Sequence, residues 1–261
     1  MITAASNSRI KRLVQLNQKS KLRRTEDVFL AEGVKMFLEA PREQLQEDYV
    51  SESFLEKCSC REHLEEVGYE VVSDSVFSKI SDTCTPQGVL CVLKQFHYNI
   101  EEMLRDKAPL FLLLENIQDP GNLGTMLRTG EGAGVSGIIM SRDTVDLYNP
   151  KVIRSTMGSI YRVPFYYADD FAAAVHQVQQ AGVSVYAAHL RGKNSYACQD
   201  YTKGTAFLIG NEGNGLREET AELADCYIRI PMEGKVESLN AAVASSILMY
   251  EAHRQRATIE K

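Results

Sequence analysis

Short apolar runs alternate with longer amphipathic segments along the second half of the chain. Each run has the length of a strand, and its apolar residues are continuous, which is typical of strands covered on both faces. Helical patterns lie between the runs at Pro150 to Gly158 and Phe171 to Ala181, and a final helix begins near Ser238. The alternation predicts an α/β fold with a mostly parallel sheet and helices on both faces. The predicted strands are LFLLLEN, GIIMS, VPFYY, VSVYAAH, TAFLIG and YIRIP.

The first hundred residues show a smaller α/β pattern. Apolar residues at helical spacing follow Ser6, a residue type that caps helices. The stretch HYNIEEMLRDKAP has no continuous periodicity and ends in proline. We therefore predict a small α/β domain over residues 1–97, a linker over 98–108 and a second domain over 109–261. Predicted strands of the first domain are VFLAEG, YEVVSD and GVLCVLKQF, with helices at VKMFLEA and FLEKCSCREHLEEV.

Composition narrows the class of protein. The chain has 261 residues, of which 44% are apolar and 25% charged, as in ordinary globular proteins. No segment approaches the ~18 apolar residues of a membrane span, and the N-terminus MITAASNSRIKRL lacks the apolar centre of a signal peptide. We therefore expect a cytoplasmic protein. Its six cysteines form no CxxC pair and have no histidine at metal spacing, so we expect reduced thiols and no metal site.

Charge is distributed unevenly. The chain has a net charge of -6, but residues 1–35 hold eight basic and three acidic residues, a local charge of +5 against -11 elsewhere. A basic segment on an acidic body favours a phosphate-rich partner such as a nucleic acid. A solvated helix face and a protein-assembly surface remain alternatives. The candidate nucleic-acid contacts are Arg9, Lys11, Arg12, Lys21, Arg23 and Arg24.

The segment from Glu115 to Val135, ENIQDPGNLGTMLRTGEGAGV, joins a strand end to a glycine-rich turn and a helix. In open α/β sheets, ligands bind beyond the carboxyl ends of strands, and the N–H groups that open a helix favour anions. Asn122 is either a side chain of this site or the helix N-cap, and the two roles are compatible. The segment therefore predicts a binding site.

Two later segments have related features. FLIGNEGNGL, from Phe207 to Leu216, is a second glycine-rich turn, but it lacks the G-x-G-x-x-G order of a dinucleotide site and the GK[ST] of a P-loop. IRIPMEGKVESLNAAVASSILMYEAHRQR places an edge strand before a long helix, with Ser238 as candidate N-cap. Small residues on one helix surface allow close approach of a second subunit, a threaded segment of the chain, or the sheet. The predicted apolar stripe is Leu239, Val243, Ile247 and Tyr250.

The ordered set NLGTMLRTGEGAG, LIGNEGNGL and IRIPMEGKVESLNAAVA resembles the three signature motifs of the SpoU (TrmH-type) RNA 2′-O-ribose methyltransferases of the SPOUT superfamily. The resemblance covers residues 110–256. It implies a C-terminal trefoil knot, a homodimer formed through the knot, and S-adenosyl-L-methionine as cofactor. The cofactor-binding residues that it implies are Leu208, Ile209, Gly210, Glu212, Gly213, Ile230, Met232, Leu239 and Asn240.

The resemblance also implies catalytic residues, with Asn122 and Arg128 in the first motif. A guanidinium keeps its proton in proteins, so we hypothesise that Arg128 positions a substrate phosphate and stabilises the developing alkoxide. Glu212 is the candidate proton acceptor, and Ser238 with Asn240 would orient the ribose. The predicted reaction is methyl transfer to a ribose 2′-hydroxyl.

The N-terminal domain resembles the substrate-binding extension of ribosomal-RNA members of this family, and RSTMGSIYRVP resembles a segment that faces RNA. Arg154 is therefore a further candidate RNA contact. We predict large-subunit (23S) ribosomal RNA as substrate, with transfer RNA or a catalytically silent RNA-binding factor as alternatives. A nucleotide-binding oxidoreductase is disfavoured because the dinucleotide fingerprint is missing.

Overall fold

The computed structural model describes residues 1–58 and 60–259. It divides into two units, each with its own sheet. The first unit contains residues 1–96 and 146–161, and the second contains residues 97–145 and those from 162 onward. The sequence pattern suggested one continuous second domain from residue 109, so it did not reveal that residues 146–161 group with the first unit.

Helices and strands alternate through both units. In chain order, the strands are β1 (Val28–Glu32), β2 (Leu45–Ser51), β3 (Glu70–Val72), β4 (Val89–Lys94), β5 (Leu110–Leu114), β6 (Gly137–Ser141), β7 (Phe165–Ala168), β8 (Ser184–Ala188), β9 (Asn194–Ser195), β10 (Thr205–Ile209) and β11 (Cys226–Arg229). The helices are α1 (Ser8–Gln18), α2 (Ser20–Glu26), α3 (Val34–Leu38), α4 (Glu52–Lys57), α5 (Arg61–Val67), α6 (Asp74–Ile80), α7 (Ile100–Met103), α8 (Pro120–Ala133), α9 (Pro150–Thr156), α10 (Phe171–Gln180), α11 (Glu218–Ala221) and α12 (Ala241–Ile259).

The first unit is built on a four-stranded mixed sheet with the order β1-β4-β2-β3. Strand β4 pairs antiparallel with β1 and β2, and β2 pairs parallel with β3. The sequence pattern predicted β1, β3 and β4. It missed β2 because the polar residues Gln46, Glu47 and Asp48 interrupt the apolar pattern of that strand.

Helix α1 packs on this sheet through the apolar residues that its spacing identified. Ile10, Leu13 and Leu16 are buried in the core of the first unit. The N-cap is Asn7, whose side chain accepts a hydrogen bond of 2.9 Å from the backbone N–H of Arg9. The prediction that Ser6 caps this helix was therefore wrong.

Residues 146–161 are tied to the first unit at both ends. The guanidinium of Arg23 pairs with the Asp146 carboxylate at 2.5 Å. At the other end, the Tyr161 hydroxyl donates a hydrogen bond of 3.0 Å to the Met36 carbonyl. Such contacts join residues more than 120 positions apart in the chain, which is why local periodicity gives no sign of them.

The second unit is built on a seven-stranded sheet with the order β7-β6-β5-β10-β8-β11-β9. Every pair of neighbours in this sheet is parallel. All residues of β5, β6 and β10 are buried, because both faces of the sheet are covered. The predicted parallel α/β architecture is confirmed. The two-residue strand β9, which borders β11, is too short to leave an apolar pattern.

The first glycine-rich turn leads into helix α8, which begins at Pro120. Its N-cap is Asp119, whose carboxylate accepts a hydrogen bond of 2.7 Å from the backbone N–H of Asn122. Proline at the first helical position has no N–H that needs a partner, and its backbone angle suits a helix. The alternative role of Asn122 as N-cap is therefore excluded, and the Asn122 side chain is available for other contacts.

Helix α12 begins at Ala241, later than predicted. Its N-cap is Asn240, whose Oδ1 accepts from the backbone N–H groups of Ala242 and Val243, at 2.9 and 3.3 Å. The prediction that Ser238 is the cap was wrong. Two residues of the predicted apolar stripe lie at the surface, since Val243 is 48% exposed and Tyr250 is 49% exposed.

The buried face of α12 instead contains small residues together with Leu248 and Met249. It packs against α8, where the Ser246 hydroxyl donates to the Thr129 hydroxyl oxygen at 3.4 Å. A β-carbon placed on Gly130 would lie 3.8 Å from the sulfur of Met249, an ordinary contact distance, so the two helices are in direct contact at this position. Helix α12 therefore packs against α8 and also against strands β10 and β5 of the sheet.

Two further observations concern the described residues alone. None of the helices in residues 1–58 and 60–259 is long and apolar enough to cross a membrane. Over the same residues, no group of three or more His, Cys, Asp or Glu side chains is arranged to hold a metal ion.

Candidate active site

The two glycine-rich turns lie side by side because β5 and β10 are neighbours in the sheet. Leu114 and Ile209, the last residues of these strands, are paired in register. Turn 1 (residues 115–122) follows β5, and turn 2 (residues 210–216) follows β10. The carboxyl ends of parallel strands meet at one edge of a sheet, so both turns project from that edge.

Turn 2 is a tight, glycine-rich hairpin. Asn211 and Gly215 exchange two backbone hydrogen bonds of 3.0 and 2.9 Å, and the Asn211 side-chain oxygen accepts from the N–H groups of Gly213 and Asn214. A β-carbon on Gly210 would lie 2.2 Å from the carbonyl carbon of Gly215. Glycine is therefore required at position 210, and the turn exposes backbone groups that a ligand can approach closely.

Glu212 joins turn 2 to turn 1. Its carboxylate accepts hydrogen bonds from the backbone N–H groups of Gln118 and Asp119, at 3.1 and 3.0 Å, and from the Asn122 amide at 3.0 Å. Partial burial tends to raise the pKa of Glu212, but these hydrogen bonds outweigh it and hold the pKa below its usual value. The carboxylate therefore stays ionised and orients the start of α8.

Asn122 connects this carboxylate to the third motif. Its amide nitrogen donates to Glu212, while its oxygen accepts from the Asn240 amide at 2.9 Å. Since the Asn240 oxygen caps α12, each of the three side chains is held by its neighbours. The structure thus brings together Asn122, Glu212 and Asn240, one residue from each sequence motif.

The other two predicted catalytic residues stand apart from this cluster. Arg128 is exposed on α8, and within the described part of the chain its guanidinium makes no ion pair or side-chain hydrogen bond. Ser238 is exposed in the segment before α12 and is likewise not hydrogen-bonded to the cluster there. An exposed guanidinium without an internal carboxylate partner is suited to an external anion.

Five of the nine predicted cofactor-binding residues lie outside turn 2 and the hydrogen-bonded cluster, in two groups. Leu208 and Ile209 are buried in the sheet, at the end of the strand that leads into turn 2. Ile230, Met232 and Leu239 are half-buried in the segment between β11 and α12. An apolar surface of this kind beside bare glycine backbone is typical of small-molecule sites.

Sequence reasoning missed residues that hold the turns together. The Asn211 amide donates to the Asn116 carbonyl at 2.9 Å. Glu115, which directly follows β5, is buried and accepts hydrogen bonds from Arg217 and Thr220. A carboxylate next to five consecutive apolar residues was a sequence signal for such a role, because buried charges require partners.

Ion pairs change the prediction for the basic residues of the first unit. Arg23 is only 3% exposed, and it also donates to the carbonyls of Leu16 and Asn17, so its predicted contact with RNA was wrong. Three other candidates are partly neutralised by acidic neighbours. The pairs are Arg9 with Glu70, Arg12 with Glu26 and Glu47, and Arg154 with Asp82.

The remaining three candidates, Lys11, Lys21 and Arg24, are exposed on α1 and α2. Across residues 1–58 and 60–259, none of the three makes an ion pair. They are the members of the predicted set whose full charge faces solvent. The basic character of the first unit is therefore concentrated on fewer side chains than the sequence suggested.

Family models match both parts of the chain. Residues 109–250 match the SpoU rRNA Methylase family, and residues 7–91 match the MRM3-like substrate binding domain. The first match spans the two glycine-rich turns and the start of α12. The second spans the four-stranded sheet of the first unit up to the middle of β4.

Similar proteins cover nearly the full length. The 23S rRNA (guanosine(2553)-2′-O)-methyltransferase RlmP of Bacillus subtilis is 32% identical over 252 residues, which are 95% of this chain and 97% of that protein. The solved structure of an AdoMet-bound rRNA methyltransferase from Sinorhizobium meliloti is 31% identical, with a TM-score of 0.83 over 97% of each chain. The SpoU methyltransferase AviRb from Streptomyces viridochromogenes, solved with AdoMet, is 26% identical, with a TM-score of 0.87 over 97% of this chain and 99% of that one. The chain therefore belongs to the SpoU rRNA methylase family.

Proposed function

We propose that this protein transfers a methyl group from S-adenosyl-L-methionine to a ribose 2′-hydroxyl of RNA. The family assignment supports this reaction, as do the names of relatives that cover the full chain. The observation that carries the proposal is the hydrogen-bonded set of Asn122, Glu212 and Asn240 on the same helix, turn and cap that the family motifs define. Arg128, on the helix that also carries Asn122, supplies an exposed cation.

Turn 2 fits the proposed cofactor. Gly210 leaves no room for a side chain, and Gly213 and Gly215 carry none, so a ligand can approach the turn closely. Met232 and Leu239 would supply apolar contact surface. When bound, the cofactor provides an electrophilic methyl group, so the protein's contribution is orientation and electrostatics.

We assign the site residues separate tasks. Arg128 binds a substrate phosphate and stabilises negative charge on the attacking oxygen, and it does not act as base because its guanidinium keeps its proton. Glu212 already accepts three hydrogen bonds and has a lowered pKa, so it suits orientation of Asn122 better than proton transfer. Asn240 and the exposed Ser238 would contact the ribose.

Large-subunit (23S) ribosomal RNA is the substrate that we propose. The first unit matches a substrate-binding domain model, and the full-length relative from Bacillus subtilis is named for 23S rRNA. A solved tRNA-modifying enzyme from A. aeolicus matches only 62% of this chain, with a TM-score of 0.53, so it lacks a counterpart to much of the chain. Lys11, Lys21 and Arg24 would meet RNA phosphates.

We further propose a cytoplasmic homodimer with a knotted second unit. The insertion of β10 between β5 and β8 supports a chain path that returns through the sheet. Val243 and Tyr250 support dimerisation, because they form an exposed apolar stripe on α12. Sedimentation of the wild-type protein and of a Tyr250→Glu variant tests this, and a monomeric wild type at micromolar concentration would refute it.

One experiment tests the reaction and the substrate together. The purified protein is incubated with S-adenosylmethionine labelled in its methyl group and, separately, with transcripts of 23S rRNA, 16S rRNA and tRNA, and the label is mapped by nuclease digestion and mass spectrometry. We expect 2′-O-methylation of one nucleotide in 23S rRNA. Methyl transfer to tRNA alone would mean that tRNA, and not 23S rRNA, is the substrate. Cofactor binding without any methyl transfer would favour a catalytically silent RNA-binding factor.

A further inference from the structure

Glu115, the residue directly after β5, has a buried carboxylate with several hydrogen-bond donors around it. It is 1% exposed, and its carboxylate accepts a hydrogen bond of 2.8 Å from the backbone N–H of Arg217. The Thr220 hydroxyl and the Arg217 guanidinium also donate to it, the latter at 3.5 Å. A buried carboxylate is unfavourable unless such donors compensate for lost water, so these three contacts hold the groups firmly in place.

The guanidinium of Arg217 also binds a carboxylate that follows a second strand, β6. It pairs with Asp143, which follows β6 and accepts a hydrogen bond from the Ser141 hydroxyl. Partial burial acts to raise the pKa of Asp143, but the bonds from Ser141 and Arg217 outweigh it and lower the pKa. Arg217 is therefore clamped between carboxylates at the ends of two adjacent strands.

Arg217 is the residue that directly follows turn 2. The first part of the turn is fixed by the bond from Asn211 to the Asn116 carbonyl, and its middle by Glu212. The end of the turn is fixed by Leu216, which is buried in the core, and by Arg217. Glu115 thus holds the point at which the chain leaves the proposed cofactor loop.

We propose that Glu115 is a positioning residue that, through Arg217, presets turn 2 in the conformation that binds S-adenosylmethionine. The inference rests on the proposed function for the identity of the ligand. A loop that is ordered before binding loses less conformational freedom on binding, and this increases affinity. Glu115 itself touches neither ligand nor RNA; its effect is transmitted by the backbone N–H and guanidinium of Arg217.

The test replaces Glu115 with glutamine, which keeps the size but removes the charge and one acceptor. The dissociation constant of S-adenosylmethionine is measured by calorimetry, and KM and kcat are measured with rRNA. For Glu115→Gln we expect at least a tenfold weaker cofactor affinity and a matching rise in KM, while kcat at saturating cofactor and the RNA affinity change less than threefold. Glu222→Gln is the matched control, since Glu222 is an exposed carboxylate at the end of α11.

A second variant keeps the test decisive if Glu115→Gln does not fold. Thr220→Val preserves side-chain shape but removes one donor to Glu115, and we expect a severalfold rise in the KM for cofactor with unchanged kcat. Unchanged cofactor affinity in a folded Glu115→Gln, or in Thr220→Val when the first variant is unfolded, overturns the inference. Equal losses in cofactor affinity, RNA affinity and kcat also overturn it, because they indicate general damage. If the wild-type protein does not bind S-adenosylmethionine, the proposed function fails instead.

Discussion

The side-chain amide of Asn240 donates a hydrogen bond of 2.9 Å to the side-chain oxygen of Asn122, 118 residues earlier in the chain. The other end of the Asn122 side chain donates to Glu212. Both polar ends of one asparagine are thus used to orient two other segments. A side chain in this position can be neither shortened nor charged without releasing at least one of its neighbours.

We expect Asn122→Asp to be more harmful than Asn122→Ala. Aspartate cannot donate to Glu212, and it places a second negative charge about 3 Å from that carboxylate, where like charges repel strongly. Loss of one oriented group at a catalytic site commonly lowers the rate by about 10² or more. Single-turnover methylation at saturating RNA measures the effect. An Asn122→Asp protein that is as active as wild type would refute the orienting role of Asn122.

We expect Arg128→Ala to reduce methyl transfer without reducing the stability of the fold. The guanidinium is exposed and has no internal partner among the described residues, so we expect the free energy of unfolding to change by less than about 0.5 kcal/mol. Methyl transfer should fall by about 10² or more, as for removal of a group that stabilises developing charge. Cofactor affinity should remain at the wild-type value. Arg105→Ala removes another exposed arginine and should leave the rate unchanged; equal activity of the two variants would exclude Arg128 from the site.

Two glycines of turn 2 form a matched pair. Gly210→Ala places a β-carbon 2.2 Å from backbone atoms of Gly215 and Leu216, which cannot move without opening the turn. Gly213→Ala places it 3.6 Å from the Asn211 side-chain oxygen, an ordinary contact. We expect Gly210→Ala to weaken S-adenosylmethionine binding at least tenfold and Gly213→Ala to weaken it less than threefold. Calorimetric titration distinguishes the variants, and equal affinities would contradict the close-approach argument.

The sequence predicted those parts of the fold that local patterns encode. Strands β5, β6 and β10 were found because burial on both faces requires continuous apolar runs. Strand β2 was missed because three of its first four residues are polar. The caps of α8 and α12 were displaced because several capping residue types lie close together in each turn. Local chemistry does not decide which of neighbouring Asp, Asn and Ser residues takes the cap.

Features that depend on distant partners could not be predicted. The face of α12 that is buried depends on its partner helix α8, whose Thr129 lies 117 residues before Ser246 in the chain. Arg23 was taken as a surface residue because its partner Asp146 lies 123 residues away. The three motif residues of the site were identified from resemblance, but the hydrogen bonds that connect Asn122, Glu212 and Asn240 required the structure.

Adjacent arginines in α2 should respond in opposite ways. Arg23→Ala leaves Asp146 and two backbone carbonyls without their donor, so we expect the first unit to lose about 3 kcal/mol of unfolding free energy. Arg24→Ala removes an exposed side chain and should change that free energy by less than about 0.5 kcal/mol. Urea denaturation measures both values. Equal destabilisation by the two substitutions would contradict the buried ion pair.

RNA binding gives a second measurement for Arg24. Arg24→Ala should weaken binding of 23S rRNA transcripts and reduce the slope of log affinity against log salt by about 1, as expected for one lost phosphate contact. The Arg9→Ala variant is the comparison, because Arg9 is already paired with Glu70. An unchanged salt slope in Arg24→Ala would remove this residue from the RNA surface.

The lowered pKa of Glu212 predicts how stability depends on pH. The folded state holds the carboxylate ionised through its hydrogen bonds from Asn122 and turn 1, whereas the unfolded chain titrates near the usual glutamate pKa of about 4.3. The stabilisation from ionised Glu212 is therefore fully present above that pH, and it is lost as the pH falls through the lower pKa of the folded state.

In Glu212→Gln this contribution is absent at every pH. Denaturation of wild type and variant from pH 6.5 down to pH 3 should therefore show the largest difference in unfolding free energy near neutrality and a shrinking difference in acid. Asp143, whose pKa is also lowered, is present in both proteins and cancels from the comparison. A difference that is constant over the whole range would mean that the hydrogen bonds to Glu212 do not depend on its charge, and the orienting role assigned to this carboxylate would have to be abandoned.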